Sequence, residues 1–579
     1  MTRAGRMPDA SPATDYALAL LEECIRQGVT DIVVCPGSRS QALALAAAAL
    51  ERSGEVRLHV RIDERVAGFF ALGLAVETGA PAIVIVTSGT AVANLHPAVL
   101  EAHSSDVPLL LITADRPLEL RGIRSNQTTH QVGIFGEAVR FARDVDAPTG
   151  AAGEHADALE LGRSAVAAAL GTGRASAGPV HINLPLREPL SRPLSDRTPA
   201  PKAPAPAAPE SHAPDIAEPQ NSRMTRPGIL LERGKRTVVI AGHGSGPTAE
   251  ALAHAGGWPL IAEVSSGARY GRNLVVAYRE LLGEPQFGGR IERAVVFGHP
   301  TLSRQVPTLL ATDGVEVIIV APTGDEVYNP GRRAAHIVGT ANVVDGGIDR
   351  AWLGSWITAS RELVDARSTD KAPDLEAAHS HDPATRLAYV KGEFEAVRAP
   401  VDRRSLALAV WGATWPHDRL VLGASRLIRD VDAAVPGKKI AVHSNRGLAG
   451  IDGTISTALG IASASQNDGA GITRVLLGDL TLLHDAGAFL TASGERMPRI
   501  QVIVGNDGGG TIFDGLEVAQ STDRHDVDRV LYTPQSVNLE ALATAYGWDY
   551  VKATTRSSLD QALTAPTASA VLIEVPLPR

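Results

Sequence analysis

The chain has 579 residues, of which 44% are hydrophobic and 21% charged, and its net charge is −9. At about 150 residues per domain that length predicts three or four domains, and the composition is that of a globular protein with ample core. The acidic balance excludes the electrostatic footprint of a nucleic-acid or anionic-membrane binder. The longest apolar run, 42–50, is far too short to span a bilayer, and the N-terminus lacks the apolar stretch of a signal peptide, so no membrane anchor is expected. The two cysteines, Cys24 and Cys35, imply no disulfide framework and suit a reducing cytoplasm. Cys35 lies in an apolar run and reads as a small buried hydrophobe.

The first 13 residues read as a disordered tail. Helical spacing follows over 16–27, then a buried strand over 31–35 (DIVVC) that ends at Pro36-Gly37. An Ala-rich helix over 40–52 leads to a strand at 58–62 and a helix at 65–78. A strand at 82–86, a helix at 91–101 and a strand at 109–113 complete this run. Apolar strands alternating with helices indicate a parallel sheet covered on both faces. Residues 191–233 are rich in Pro and Ala and read as a linker. A second α/β unit spans 234–367, with strands at 237–241, 293–297 and 315–320, and the polar stretch 368–382 reads as another linker. The last unit, 384–579, has strands at 419–422, 439–443, 473–477, 500–504 and 571–575. The expected architecture is three consecutive α/β domains with parallel sheets, bounded at 14–190, 234–367 and 384–579.

The first and third domains echo each other. Gly37-Ser38-Arg39 after one strand matches Ala424-Ser425-Arg426 after another. The run DERVAG, 63–68, matches NRGLAG, 445–450, and TSGT, 87–90, matches GDLT, 478–481. LITAD, ending at Asp115, matches IVGND, ending at Asp507. Four elements in the same order predict two domains of one fold. Ligands of such sheets bind beyond the carboxyl ends of the strands.

The strongest local motif is RVLLGDL, with Asp479, followed by QVIVGNDGGG, with Asp507. Both acids stand just past apolar strands with one helix between them, so both carboxylates are expected at one end of one sheet. Hard oxygen ligands in that place suit Mg²⁺, which keeps phosphate or water oxygens as further ligands. The turn after Asp479 enters a helix whose first N–H groups can hold a phosphate. In Gly508-Gly509-Gly510 the backbone can approach a metal closely. A lone Gly-Asp would be an ordinary solvated loop acid; the partner NDGGG at this spacing argues otherwise. The pair resembles the thiamine-diphosphate signature, Gly-Asp followed after about 27 residues by Asn-Asn. The resemblance implies a cofactor held through Gly478, Asp479, Leu480 and Thr481, with Mg²⁺, or Mn²⁺, bound by Asp479, Asp507 and the carbonyl of Gly509. Asp507 stands where the signature has its second Asn. The choice between Asn506 and Asp507 as ligand stays open, with oxygen ligation kept either way.

Chemistry of this type needs one positioned, desolvated carboxylate that exchanges a proton with the cofactor's aminopyrimidine. Glu64, in HVRIDERVAGFFALGLA, follows a strand and opens an apolar helix, at the position of the family's glutamate. By itself it would be a helix-start acid favoured by the dipole, and Asp63 is its neighbouring rival. Ile451, in GIDG, matches the bulky apolar residue that supports the bent cofactor. On this view acids from opposite ends of the polypeptide serve one coenzyme.

The segments CPGSRS, TSGTAVANLHPAV, TADRPLEL, SNQTTHQ, GPVHINLPLREPL, LVLGASRLIRD, HSNRGLAGIDGTISTALG, GDLTLLHD and NDGGGTIF extend the likeness over the first and third domains. Together they resemble the 2-succinyl-5-enolpyruvyl-6-hydroxy-3-cyclohexene-1-carboxylate synthases of menaquinone biosynthesis. The resemblance implies a homo-oligomer with active sites at subunit interfaces. In it, 2-oxoglutarate is decarboxylated and the resulting succinic semialdehyde anion equivalent adds to isochorismate. Both substrates carry carboxylates, which the bidentate fork of arginine suits. By resemblance Ser425, Arg429 and Arg446 would face the donor. Arg39, Arg116, Asn126 and Gln127 would line the other side, and Ile512, Phe513 and Leu516 would form an apolar wall. Ser38, Thr87, Gln127, Ser425, Ile451 and Ile512 would also touch the cofactor. In the central domain, Arg332 and Arg333 are weaker counterparts for isochorismate.

Three other readings compete. An acetolactate-synthase-like carboligase would need flavin or use pyruvate. A non-catalytic sensor on the same fold would have no need of Glu64 together with Asp479. A nicotinamide dehydrogenase would need more than the GxGxG of 242–246.

Overall fold

The computed structural model describes residues 10–171, 175–194, 226–324, 326–367, 374–467, 469, 471–566 and 569–579. They divide into two compact units. One comprises Met1–Met224 with Ile455–Asn467 and Asp485–Met497, and the other holds the remainder.

In the first unit the chain is ordered earlier than its composition suggests. Ser11 caps the helix Pro12–Arg26 by accepting from the Thr14 N–H, and its hydroxyl donates to the Pro189 carbonyl at 2.7 Å. A Ser-Pro start is a strong helix signal, which overrides the polar look of the tail. Residues 1–9 of the expected tail lie outside the described residues. Six parallel strands follow: β1 (Asp31–Val34), β2 (Arg57–Val60), β3 (Ala82–Val86), β4 (Leu109–Asp115), β5 (Phe141–Asp144) and β6 (Pro179–Pro185). Their order is β2-β1-β3-β4-β6-β5. β1, β3, β4 and β6 are buried along their whole length, as strands covered on both faces must be. β5, FARD, is an edge strand and largely exposed, so no apolar run announces it. The helix expected over 91–101 is two helices, Thr90–Asn94 and His96–Ser104, with Pro97 in the first turn of the second. A proline there removes an N–H and forces a new start.

The helix Glu64–Thr78 is buried all round from Val66 to Ala75. It meets the helix Thr454–Ser465 at bare backbone. A Cβ on Gly73 would lie 2.0 Å from the Thr457 carbonyl oxygen, and one on Gly460 would lie 2.1 Å from that of Phe70. Two glycines therefore set this crossing distance.

The second unit opens with β7 (Ile229–Leu231) and continues with β8 (Thr237–Ala241), β9 (Leu260–Ala262), β10 (Arg293–Phe297), β11 (Glu316–Val320), β12 (His336–Val338) and β13 (Ala341–Val343). β12-β11-β10-β8-β9 form one sheet and β13-β7 a small second one. β7 corrects the linker boundary expected at 233, because a three-residue strand is specified by its partner β13 rather than by its own composition. Residues 195–225 of that linker, and 368–373 of the next, lie outside the described residues. Within 374–382 the chain forms a short helix, Leu375–His379, which the Asp374 side chain starts by accepting from Ala377 N–H at 2.9 Å.

The last sheet comprises β14 (Arg419–Leu422), β15 (Ala441–His443), β16 (Thr473–Gly478), β17 (Ile500–Asn506), β18 (Asp549–Lys552) and β19 (Ala570–Pro576). Its order, β15-β14-β16-β17-β19-β18, is that of the first sheet strand for strand, as the sequence echo predicts. No helix among the described residues is long and apolar enough to cross a membrane.

Candidate active site

β16 and β17 are adjacent and parallel, with Gly478 opposite Gly505. Asp479 and Asp507 therefore each follow a strand end directly. Both line a cavity of about 320 Å³ in the second unit. Burial, and then the neighbouring Asp507 charge, push the Asp479 carboxyl up to about 6. The cost of two close carboxylates away from water is the one a cation would relieve. Asp507 is 8% exposed, and its Oδ2 accepts from Arg403 Nη2 at 2.7 Å and from the Thr511 hydroxyl at 2.5 Å.

Gly509 also lines the cavity, with φ of +129°. A Cβ there would lie 2.3 Å from the Tyr532 carbonyl oxygen, so only glycine fits the turn. No group of three or more His, Cys, Asp or Glu side chains among the described residues is placed to hold a metal. Asp479 and Asp507 instead bring two carboxylates, hard oxygen donors whose chemistry fits Mg²⁺ completed by phosphate and water oxygens, and Asp479 also accepts from the Gly509 N–H. The Leu480 N–H donates to the Asp479 carboxylate at 2.9 Å.

Other lining residues follow β14 and β15. Ser425 begins the helix Arg426–Ala434 at φ of +96°, a left-handed conformation unusual for serine and of the kind concentrated at functional sites. Arg429, one helical turn on, donates to the Ser425 carbonyl. Arg446, 2% exposed, lines the same cavity, as do Ile451, Ile512 and Phe513. Gly478, Leu480 and Thr481 complete the expected residues there. Leu516 is not among the lining residues; it closes the turn Thr511–Gly515 by donating its N–H to the Phe513 carbonyl at 3.0 Å. Arg332 and Arg333 do not line the cavity either, and Arg333 pairs with Asp313. Gly242 of the GxGxG run is glycine for packing: a Cβ would lie 2.1 Å from the Pro300 nitrogen.

Sequence reasoning missed Arg403 and Arg426. Arg426 donates to Asp514 at 2.5 Å and to the Thr511 carbonyl at 2.9 Å, which pins the turn carrying Ile512 and Phe513. Arg426 was visible in the ASR echo of Gly37-Ser38-Arg39. Arg403 had no local signal, because its partner lies 104 residues away.

In the first unit the expected residues gather past the carboxyl ends of β2, β1, β3 and β4. Glu64 is the first residue of its helix, which Asp63 caps by accepting from the Arg65 and Val66 N–H groups. That capping role separates Asp63 from its neighbour, whose carboxylate accepts from Asn94 Nδ2 at 3.4 Å. Ser38 is exposed, while Arg39 is buried and donates to the Leu186 carbonyl at 3.0 Å. Thr87 packs beneath Gly37, where a Cβ would lie 2.3 Å from the threonine Cβ. Gln127 is held at φ of +59° by a pair of hydrogen bonds with Ser88, and the Asn126 carbonyl accepts from Arg116 at 3.3 Å. Both cysteines are buried, and burial pushes the Cys24 thiol up to about 12 and raises the Cys35 thiol as well, which disfavours the thiolate at both.

Residues 14–134 match the thiamine pyrophosphate enzyme, N-terminal TPP binding domain, and residues 434–575 match the C-terminal TPP binding domain. A benzoylformate decarboxylase from Polynucleobacter necessarius has the same fold, with a TM-score of 0.64 at 16% identity over 98% of each chain. The chain is 59% identical to a 2-succinyl-5-enolpyruvyl-6-hydroxy-3-cyclohexene-1-carboxylate synthase of Leifsonia xyli subsp. xyli, over all of this chain and 98% of the relative. It is 54% identical to one of Clavibacter michiganensis subsp. michiganensis, over the whole of both. An alignment of that identity over the full length leaves one conclusion: the chain belongs to the family of 2-succinyl-5-enolpyruvyl-6-hydroxy-3-cyclohexene-1-carboxylate synthases.

Proposed function

We propose that this protein decarboxylates 2-oxoglutarate and adds the resulting four-carbon unit to isochorismate, on the route to menaquinone. The observation that carries the reading is one cavity lined by Asp479 and Asp507 together with Ser425, Arg429 and Arg446. When bound, thiamine diphosphate supplies the electron sink for decarboxylation and the carbon nucleophile for the addition. Asp479, Asp507 and the Gly509 carbonyl would hold the Mg²⁺ that binds its diphosphate, and Mn²⁺ offers the same preference for oxygen. Ile451, which lines the cavity, would pack against the cofactor. Glu64 would exchange a proton with the aminopyrimidine ring of the bound cofactor, and Gln127 would lie near that cofactor. Arg429 and Arg446 hold the donor's carboxylates by charge-assisted hydrogen bonds. Arg39, Arg116 and Asn126 serve isochorismate, and Ile512 and Phe513 keep water from the reacting carbons.

A homo-oligomer in a reducing cytoplasm is part of the same reading. Ile62, Leu118 and Ile123, past β2 and β4, are 70%, 80% and 66% exposed, and burial of such side chains against a second copy would favour assembly. Sedimentation of the purified protein measures that state. The activity is tested by mixing protein, thiamine diphosphate, Mg²⁺, 2-oxoglutarate and isochorismate and following CO₂ together with the adduct. Release of CO₂ from pyruvate in preference to 2-oxoglutarate would transfer the protein to another branch of these carboligases.

A further inference from the structure

The central domain carries no motif that the sequence ties to chemistry, yet one of its turns touches the wall of the cavity. Just past β10, the Thr301 hydroxyl accepts two hydrogen bonds from the Arg446 guanidinium, from Nε at 3.0 Å and from Nη2 at 2.6 Å. The turn itself is clamped from below. Glu263, 1% exposed and just past β9, accepts the Thr301 N–H at 2.8 and 3.0 Å and the Leu302 N–H at 2.6 Å. Buried polar groups are worth most where every partner is satisfied, and a carboxylate that receives backbone N–H groups fixes a turn firmly. A two-point grip on a guanidinium fixes both its position and the plane in which it can offer its remaining donors.

We propose that Thr301 is a positioning residue for the reaction: seated by Glu263, its hydroxyl aims Arg446 at a carboxylate of the 2-oxo acid donor. The inference rests on the reading of Arg446 given above. It makes the central domain a part of donor recognition, which the chain order of the motifs does not suggest. Arg446 lies 145 residues from Thr301, so the pair exists only in the folded protein.

Three variants test it: Thr301→Val, Thr301→Ser and Arg446→Gln. Each is read by the KM for 2-oxoglutarate, by kcat, by calorimetric binding of a phosphonate analogue of 2-oxoglutarate to the cofactor-loaded enzyme, and by thermal melting. Valine keeps the shape of threonine and removes the acceptor. Thr301→Val is expected to raise KM and the analogue's Kd about tenfold, the usual scale for losing a hydrogen bond to a charged group, with the KM for isochorismate unmoved and a single cooperative melt retained. Thr301→Ser restores both constants to within about twofold. Arg446→Gln raises both at least as far as Thr301→Val does. The proposal is overturned if Arg446→Gln raises KM while Thr301→Val does not, or if serine fails to rescue. If Arg446→Gln itself leaves donor binding unchanged, the proposal falls together with the assignment of Arg446, and the fault lies in that assignment.

Discussion

Arg403 and Asp507 form an ion pair at 2.7 Å, with side chains 14% and 8% exposed. The pair gives the aspartate at a position where the family signature has asparagine a partner of opposite charge. It sits on Oδ2, where the Thr511 hydroxyl also binds. Replacement by asparagine removes one charge and strands the other, so Asp507→Asn should cost about 2 kcal/mol in stability. It should also weaken Mg²⁺ binding about tenfold. Arg403→Gln on top of Asp507→Asn should recover most of both losses. Denaturant titration and Mn²⁺ titration by electron paramagnetic resonance measure the two effects, and losses that simply add in the double variant would refute the coupling.

Glu64→Gln removes an exchangeable proton while keeping the size of the side chain at the first position of its helix. Turnover should fall at least about a hundredfold, the usual scale for losing a positioned acid-base group, with thiamine diphosphate binding little changed. Fluorescence titration of the cofactor alongside single-turnover kinetics separates the two. Turnover near that of the unaltered protein would remove Glu64 from the mechanism.

His59 lies between Asp31, at 2.9 Å, and Glu495, at 3.9 Å. Burial lowers its tendency to hold a proton, but the hydrogen bonds and charges of the two carboxylates outweigh burial, and its pKa is raised above 6.5. A group whose folded pKa is raised contributes stability that is fully present below the unfolded value and is lost as pH rises through the folded one. His59→Gln should therefore cost about 1–2 kcal/mol at pH 6 and progressively less as the pH rises from 6.5 through the raised folded-state value, beyond which this contribution is gone. Urea unfolding of both proteins across pH 6–9 checks the sign; a cost that grows with pH contradicts it.

Gly73→Ala places a methyl group 2.0 Å from the Thr457 carbonyl. Neither backbone can yield without moving a whole helix, so the substitution should cost ~3 kcal/mol despite alanine's better helix propensity. At Gly28, where the added Cβ meets nothing within 4 Å, the cost is confined to its left-handed φ of +105°. Thermal melting of the Gly73 variant at or above that of the unaltered protein would show that the two helices separate readily at this crossing.

The three larger parallel sheets, the echo between the first and last of them, and the acids at the ends of β16 and β17 were all legible in the sequence. Apolar runs, Gly-Asp and NDGGG are local patterns, and a local pattern is written in adjacent residues. The short strands β5, β7 and β18 were not legible, because three or four residues at an edge are chosen by what they pair with. The same physics governs the site. The sequence by itself determined the residue types that reach the cavity and the family to which the chain belongs. Only tertiary structure decided that Arg403 answers the extra charge of Asp507, that Leu516 lies outside the lining, and that a central-domain threonine holds Arg446, since each depends on residues distant in the chain meeting at hydrogen-bond or packing distance.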